Sequence, residues 1–307
     1  MMDTEIDRSL LEKIADLIGK PVGAFNIRKD SGCDGRQSTE HIEITSKEDK
    51  PGIDIRVKPG TVGETCYIPV IITKSGLQEM VYNDFFIGEG CDVNIVAGCG
   101  IHNCGGEESR HDGVHTFYVG RGSRVRYTEK HYGEGEGTGA RIMNPHTIVY
   151  LEEGASIQLE TVQIRGVDHT KRYTKVEVGA DAEAVVTERL LTHGGQFAES
   201  KMDVILKGEG ARTQVISRSV AQDSSVQVFY PQVEGNAPCF GHVQCDSIIM
   251  GQAKVSSIPA IVANHMEAQL IHEAAIGKIA GDQILKLMTL GLTGEEAEQK
   301  ILDGFLR

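Results

Sequence analysis

Gly122-Ser-Arg-Val-Arg-Tyr127 is one of five similar stretches in which a glycine and a small or polar pair precede a short alternating strand. The others are GCDVNI from Gly90, GASIQL from Gly154, GADAEA from Gly179 and GARTQV from Gly210. Successive glycines are 32, 32, 25 and 31 residues apart, and a period of this length is typical of solenoids, propellers and other arrays. Glycine also permits the positive φ needed where one strand bends into the next. These stretches predict stacked short strands.

The pattern extends well beyond the five stretches. From about Val22 to Pro259, short runs of apolar and polar residues alternate, and helix signals are nearly absent. Stacked strands of this kind bury a continuous core that no single repeat could close alone. Aromatic residues make up only 5% of the chain, which disfavours a propeller because propeller blades usually carry aromatic motifs. A β-helix fits best, and a jelly roll remains an alternative.

The first 20 residues predict an amphipathic helix. Thr4 and Asp7 resemble a capping box at its start, and Gly19 is a plausible C-cap. One stripe of the helix would be apolar: Ile6, Leu10, Ile14, Leu17 and Ile18. We expect this helix to dock over the end of the β domain, which we place at residues 21–265.

The last segment, residues 266–307, changes back to a helical pattern. Residues 282–289 have helical apolar spacing, Gly291 is a plausible C-cap, and Thr293 with Glu296 forms a capping box for a second helix. The sequence therefore predicts a mainly β protein with an N-terminal helix and a C-terminal helical hairpin.

Composition and charge limit the classes of function. The net charge of −13 makes a nucleic acid an unlikely partner, because its phosphates are also negative. No apolar stretch approaches the roughly 20 residues that cross a bilayer, and the N-terminus lacks the pattern of a signal peptide. We therefore expect a cytoplasmic protein without a membrane partner. Its seven cysteines, an odd number, should be thiols or metal ligands rather than a disulfide framework.

Residues that could bind a metal are concentrated near the C-terminus. Thiolate, imidazole and carboxylate side chains lie within 35 residues of one another: Cys239, His242, Cys245, His265, Glu267, His272 and Glu273. This set suits transition metals and iron–sulfur clusters. Buried cysteines and histidines without any metal role are common, and Cys239 in particular fits that description.

A second group lies near the middle of the chain, in the segment Cys99-Gly-Ile-His102-Asn-Cys104. Its glycines and polar residues suggest a loop that could curl around one ion, although the spacing is not that of a zinc ribbon. Cys99, His102 and Cys104 are therefore weaker metal candidates, and loop packing is the alternative interpretation.

A third group is the glycine-rich acidic run that contains Glu129, Glu134 and Glu136. No Walker motif occurs here, so a phosphate loop is not indicated. A solvated acidic loop is the simplest interpretation. Paired carboxylates could instead make the protein a β-helix enzyme acting on acidic polysaccharide.

The C-terminal third also resembles a known family. The resemblance rests on the segments SRSVA (217–221), GHVQCDSII (241–249), SIPAI (257–261), AQLIHEAAIGKI (268–279), DQI (282–284), GLTGEEA (291–297) and Gly304-Phe305. Together they resemble the SufB/SufD family, the scaffold subunits of the SUF iron–sulfur cluster assembly machinery. The resemblance is strongest over residues 185–307, and the chain looks like a short SufB-like form.

The resemblance implies a right-handed parallel β-helix and a scaffold rather than an enzyme. It further implies a transiently held iron–sulfur cluster, docking of a SufC-like ABC ATPase on residues 266–307, and pairing either as a homodimer or with a SufD-like paralogue. Cys245 matches the family's cluster-holding cysteine, Glu273 matches the acidic residue implicated with it, and His272 is a weaker candidate. The Cys99–Cys104 segment is a possible substitute for the sulfur-entry residues. A structural homo-oligomer without metal is a further alternative.

Overall fold

In the computed structural model, which describes residues 4–306, the chain winds into a two-sheet parallel solenoid with helices at both ends. The helices are α1 (Glu5–Ala15), α2 (Gly281–Thr289) and α3 (Gly294–Phe305). The strands are β1 (Ala24–Lys29), β2 (Gly32–Gln37), β3 (Ile42–Ser46), β4 (Gly52–Val57), β5 (Val62–Ile72), β6 (Gln78–Ile87), β7 (Asp92–His102), β8 (Ser109–Val119), β9 (Arg124–Glu134), β10 (Arg141–Met143), β11 (His146–Leu151), β12 (Ser156–Arg165), β13 (His169–Val178), β14 (Glu183–Thr192), β15 (Phe197–Leu206), β16 (Arg212–Ala221), β17 (Val226–Gly235), β18 (Cys239–Ile249), β19 (Lys254–Ser257), β20 (Ala260–Ala263) and β21 (Ala268–Gly277).

The strands alternate between two sheets, so each coil contributes one rung to each. Sheet A has the order β2-β1-β5-β7-β9-β12-β14-β16-β18-β21, and sheet B runs from β19 through β17, β15, β13, β10, β8, β6 and β4 to β3. Strand β11 pairs with β13 and β8, and β20 pairs with β17. Pairing is parallel except in the two hairpins β1–β2 and β3–β4. The predicted parallel β-helix is confirmed, and the jelly roll, an antiparallel fold, is wrong.

The turns between coils stack on one another, as the glycine spacing predicts. Gly90, Gly122, Gly154 and Gly210 all have φ between +64° and +72°. The prediction is wrong at Gly179, because the left-handed position in that coil is taken by Asp181, with φ +52°. The amide of Gly154 donates to the carbonyl of Ala180, and that of Asp181 donates to Glu209, so these turns continue the same ladder. An aspartate tolerates this conformation better than most residues, which lets the repeat shift by two positions.

Apolar side chains fill the space between the sheets. The predicted position of helix α1 over the end of the domain is wrong, because the helix packs on the outer face of sheet A, against β5, β7 and β9. Its predicted capping box is present, but it ends at Asp16 in the left-handed region rather than at Gly19. The buried stripe differs slightly from the prediction: Leu10, Leu11 and Ile14 are buried, whereas Ile6 and Ile18 are exposed. Two glycines of β7 make room for this helix, since a Cβ on Gly98 would lie 2.7 Å from the Ile14 carbonyl oxygen and one on Gly100 would lie 3.1 Å from Leu10.

The solenoid continues past the predicted end of the β domain at residue 265. Strand β21 pairs in parallel with β18 and thereby adds one more rung to sheet A. Helices α2 and α3 follow as predicted, and the Thr293–Glu296 capping box opens α3. No helix within residues 4–306 is long and apolar enough to cross a membrane.

Candidate functional site

The structure brings Cys245 and His272 together at the C-terminal end of sheet A. Cys245 lies on β18, and its Sγ is 3.5 Å from the Nε2 of His272 on the neighbouring strand β21. The two residues are not direct partners in register, since Cys245 pairs with Ala274 and His272 pairs with Val243. Cys245 lies two residues beyond Val243, the register partner of His272. Because side-chain direction along a strand has a period of two, both side chains point to the same side of the sheet. That side faces the solenoid interior.

The surroundings of Cys245 are enclosed and polar. The residue is 3% exposed and borders a cavity of about 20 Å³, enough for one water molecule, whose lining includes Ser217, Ser219 and Ser247. Burial raises the pKa of the Cys245 thiol to about 12, the Ser257 hydroxyl opposes this, and the charge of Glu188 adds to it. Burial also lowers the pKa of His272, and the nearby His242 acts in the same direction. In this conformation the pair is a protonated thiol beside a neutral imidazole.

Glu273 is not part of this interior pair. It lies one residue beyond His272 on β21, so its side chain projects from the outer face, where 64% of it is exposed. Its carboxylate is 3.7 Å from the Nε2 of His242, which also projects outward from β18. Cys245 and Glu273, predicted as joint ligands, thus occupy opposite faces of the same pair of strands.

Of the weaker candidates, Cys99 lies apart, whereas His102 and Cys104 come into contact. Cys99 lies inside strand β7, not in a loop, and is 2% exposed. Burial raises the pKa of its thiol well above the usual value, and the charges of Glu79 and Glu129 add to this. At the end of β7 the imidazole of His102 contacts the exposed thiol of Cys104, with 2.9 Å between Nε2 and Sγ. The loop interpretation is wrong for Cys99, because this residue lies within a continuous strand. The neighbouring Gly98 and Gly100 do not form a turn but make room for helix α1.

The glycine-rich acidic run is likewise a strand over much of its length, and Glu129 is buried inside the solenoid. The interpretation as a solvated acidic loop is therefore wrong for this residue. Its carboxylate is 2.8 Å from Arg172 on β13, and it accepts a hydrogen bond from the Tyr127 hydroxyl. Arg172 also lies 3.4 Å from the carboxylate of Glu188. The interior thus contains a charged network that sequence analysis did not identify.

The carboxylates of this network lie in one column of inward positions on sheet A, and Arg172 reaches them from β13 of sheet B. Register aligns Ala97, Glu129, Thr161, Glu188, Ser217 and Cys245 on successive strands from β7 to β18. The Ser217 hydroxyl is 3.4 Å from Glu188, so the polar column continues to the coil next to Cys245. The sequence does contain a signal for this column. These polar residues occupy the same alternate positions as the buried valines and leucines of their strands, so they also face the interior.

Electrostatics keep the network ionised at its centre. Burial disfavours a charged Glu129, but His131, Arg172 and His115 outweigh that effect and hold the pKa of the carboxyl well below its usual range. Burial lowers the pKa of His115 to about 4, with Glu129 opposing, so this histidine is neutral at pH 7. Glu129 is buried and paired with Arg172, so it is not available to a polysaccharide substrate, and the interpretation as a glycoside-active enzyme is not favoured.

Across residues 4–306, no group of three or more His, Cys, Asp or Glu side chains is arranged to hold a metal ion. The Cys245–His272 pair supplies one sulfur and one nitrogen donor, a combination that suits iron. A cluster bound there needs further ligands, from a rearranged strand end, a second chain or inorganic sulfide. All seven cysteines are free thiols in this structure.

Comparisons with known proteins agree on one family. Residues 72–305 match the model described as "SUF system FeS cluster assembly, SufBD core domain". A curated "Iron-sulfur cluster assembly SufBD family protein" of Archaeoglobus fulgidus is 28% identical over 273 residues, which are 88% of this chain and 72% of that protein. A family member from Pyrococcus horikoshii is 26% identical over 94% of this chain and 88% of its own length. A chloroplastic member from Arabidopsis thaliana is 26% identical over 80% of this chain and 47% of its own length.

Proposed function

Because this chain belongs to the SufBD family of iron–sulfur cluster assembly proteins, we propose that it is a scaffold subunit that receives a nascent cluster and passes it on. The observation that carries the proposal is the 3.5 Å approach of the Cys245 thiol to the His272 imidazole at the end of the solenoid. A cysteine with a histidine binds a cluster less tightly than a set of four thiolates does, which suits a site that must release its cargo.

Loading requires the end of the solenoid to open. Cys245 is almost fully buried, and the cavity beside it is far too small for a cluster. A single strand, β21, separates Cys245 from the end of sheet A, because β21 is the last strand of that sheet. We place the cluster at this end, in the space exposed when β21 and the short strands β19 and β20 move away from β18.

Glu273 joins the site from outside. It lies on the opposite face of the sheet from Cys245, so both reach one cluster only if β21 shifts or if Glu273 comes from a second protomer. The outer edge of β21, which has no strand partner among residues 4–306, can accept a further strand. Exposed Ile271 and Ile276 on the same strand provide apolar surface for that contact. Pairing with a second copy or with a SufD-like paralogue at this edge would place the cluster between subunits.

An ABC-type ATPase of the SufC kind is the proposed energy source, which makes this chain a non-enzymatic subunit. Helix α2 has no buried residues, and Leu285 and Met288 are 60% and 44% exposed. An amphipathic helix with an uncovered apolar face is suited to docking against a partner. Movement of α2 would act directly on β21, which it follows by three residues. The free cysteines favour the reducing cytoplasm as the site of action.

The test is cluster loading by the Cys245→Ser variant. The protein is reconstituted anaerobically with iron and sulfide together with its ATPase partner, and bound iron and acid-labile sulfide are measured. Cys239→Ser is the matched control, because Cys239 lies on the same strand, is also buried, and has no histidine contact among the described residues. We expect loading to fall to background in Cys245→Ser and to remain in Cys239→Ser. Equal loading of both variants would sink the assignment.

A further inference from the structure

A second thiol site lies far along the chain from Cys245, at the end of strand β7. The Sγ of Cys104 is 2.9 Å from the Nε2 of His102, and the Nδ1 of the same imidazole is 3.3 Å from the Glu134 carboxylate on β9. The other oxygen of Glu134 binds the ammonium of Lys13 on α1 at 2.7 Å. Thiol, imidazole and carboxylate therefore stand in line, as in nucleophilic cysteine sites.

The order of contacts sets the proton positions. Glu134 can only accept a hydrogen bond when ionised, so the Nδ1 of His102 donates to it and the Nε2 is left as an acceptor. Burial disfavours the carboxylate, but Lys13 and His102 outweigh this and lower the pKa of Glu134, so it is ionised at neutral pH. The free lone pair of Nε2 then faces the Cys104 thiol and can take its proton. His102 is therefore placed to act as the base when the Cys104 sulfur attacks an electrophile.

Cys104 is also accessible, which separates it from most of the other cysteines. It and Cys33 are exposed, whereas the remaining five are buried. Gly135, the residue that follows β9, lies directly against the Cys104 segment, since a Cβ on Gly135 would lie 2.2 Å from the Asn103 carbonyl oxygen. A cleft of about 560 Å³ adjoins Glu134; its lining includes Gly135, Arg165 and His193 but neither Cys104 nor His102. The thiol itself is therefore open to solvent at the surface rather than enclosed in a cleft.

The surrounding backbone indicates which electrophile fits. Acyl transfer needs free amide donors to stabilise an oxyanion. Here the amide of Gly105 donates to the Asn103 side chain, and those of Gly137 and Gly139 donate to the carbonyls of Asn103 and Gly105. These three amides are therefore engaged within the turn. A disulfide needs no oxyanion site, because its leaving group is a thiolate that needs only a proton.

We propose that Cys104 is a nucleophilic thiol that undergoes exchange with small, low-molecular-weight disulfides and is thereby reversibly modified. As the Nε2 of His102 takes the proton of the Cys104 thiol, the sulfur attacks one sulfur of the disulfide R–S–S–R, the S–S bond of the reagent breaks, and a Cys104–S–S–R bond forms. The departing R–S⁻ takes the proton from the His102 imidazolium. Cys104 is oxidised, one sulfur of the reagent is reduced, and the number of disulfide bonds does not change. This inference does not depend on cluster binding at Cys245.

The test compares Cys104 with Cys33 in the same folded protein. Full-length protein is treated with hydroxyethyl disulfide at pH 7, quenched with acid at intervals, and the modified cysteines are counted by peptide mass spectrometry. We expect Cys104 to react about tenfold faster than Cys33, which has no histidine contact among the described residues. Equal rates at the two cysteines in the wild-type protein would overturn the proposal.

A second arm removes the base. In His102→Ala the rate at Cys104 should fall to that of Cys33, while the rate at Cys33 stays unchanged and reports that the fold is intact. Free imidazole added to this variant should restore much of the lost rate, since it can occupy the vacated space and accept the proton. A merely structural role for His102 would not be rescued in this way. An unchanged rate in His102→Ala, or a loss that imidazole does not restore, counts against the proposal.

Discussion

Single residues inside the solenoid carry charge where an apolar core would be expected. Glu129 and Arg172 are both buried and lie 2.8 Å apart, and Glu188 contacts the other side of the guanidinium. Removing one partner of such a buried pair usually costs about 3–5 kcal/mol, because the other charge is left uncompensated. The network therefore constrains which substitutions the interior tolerates, and it connects by register to the coil that holds Cys245.

Stability should fall as the pH drops from 7 to 5, partly through His115. The unfolded histidine takes up a proton near pH 6.5, whereas the pKa of buried His115 is about 4. Between these values the unfolded state binds more protons, so the free energy of unfolding decreases as the pH falls. One such histidine contributes about 1.4 kcal/mol per pH unit at most, or roughly 2 kcal/mol over this window. Burial lowers the pKa of neighbouring His131 too, which adds to the effect.

Urea unfolding at pH 7, 6 and 5 measures this dependence. The imidazole of His115 contacts the Tyr127 hydroxyl and the Asn83 amide, and the charges that act on it are those of Glu129, His111, His131 and Arg172; all of these groups remain in the His115→Gln variant. That variant should lose part of the pH slope. His193→Gln, at an exposed position, should keep the wild-type slope. An undiminished slope in His115→Gln would show that the buried imidazole is not responsible.

Among the elements, helix α1 depends on a seat formed by two glycines in β7. A Cβ on Gly98 would lie 2.7 Å from two backbone oxygens, those of Ile14 in α1 and Lys130 in β9. Backbone atoms cannot move aside as a side chain can. The helix is further tied to the sheet by ion pairs of Lys13 with Glu134 and of Asp16 with Lys130.

Replacing Gly98 with alanine should push α1 away from sheet A. The expected cost is about 1–3 kcal/mol of unfolding free energy, typical of overpacking, with faster amide exchange across residues 5–15. Gly277→Ala is the control, because Gly277 also lies in a strand of sheet A and a Cβ added there would meet nothing within 4 Å beyond its own chain neighbours. If the exchange of α1 is the same in both variants, the glycine seat does not hold the helix.

Local sequence patterns predict the strands and helices, but they do not predict which side chains meet in the folded protein. Glycine spacing and alternation predict the solenoid because each turn needs the same backbone conformation, and capping boxes at Thr4 and Thr293 mark helix starts by local hydrogen bonds. The local pattern predicts the wrong environment for Glu129, because a glutamate next to glycines is normally exposed to solvent. Its burial depends on the partner Arg172, 43 residues later. Likewise the pairing of Cys245 with His272 depends on the register of β18 against β21, which no local pattern reveals.

At the scale of the whole molecule, the two ends of the solenoid differ. At the N-terminal end the last strands, β2 and β3, belong to antiparallel hairpins, whereas sheet A ends at the C-terminal end with the parallel strand β21, whose outer edge has no strand partner among the described residues. Exposed edges with apolar side chains are sites of strand addition. The candidate cluster site therefore lies beside one such edge.

A charge on β21 should prevent pairing of protomers. Ile271→Lys places an ammonium on the exposed edge strand, where Ile271 is 45% exposed, and should convert dimers to monomers in sedimentation velocity experiments. Ile164→Lys is the matched control, because Ile164 is 47% exposed on β12, in the middle of sheet A. Dimers that survive Ile271→Lys, or that dissociate equally in both variants, would place the interface elsewhere.

The central claim is that Cys245 and His272 jointly hold the cluster, and the most direct test is to detect the histidine nitrogen on the bound iron. Protein carrying ¹⁵N-labelled histidine is loaded anaerobically, the cluster is reduced, and pulsed electron paramagnetic resonance records the nitrogen hyperfine coupling. The account predicts a ¹⁵N coupling in the wild-type protein that disappears in His272→Ala but persists in His265→Ala. A coupling that survives in His272→Ala, or a wild-type cluster without any histidine coupling, would contradict it.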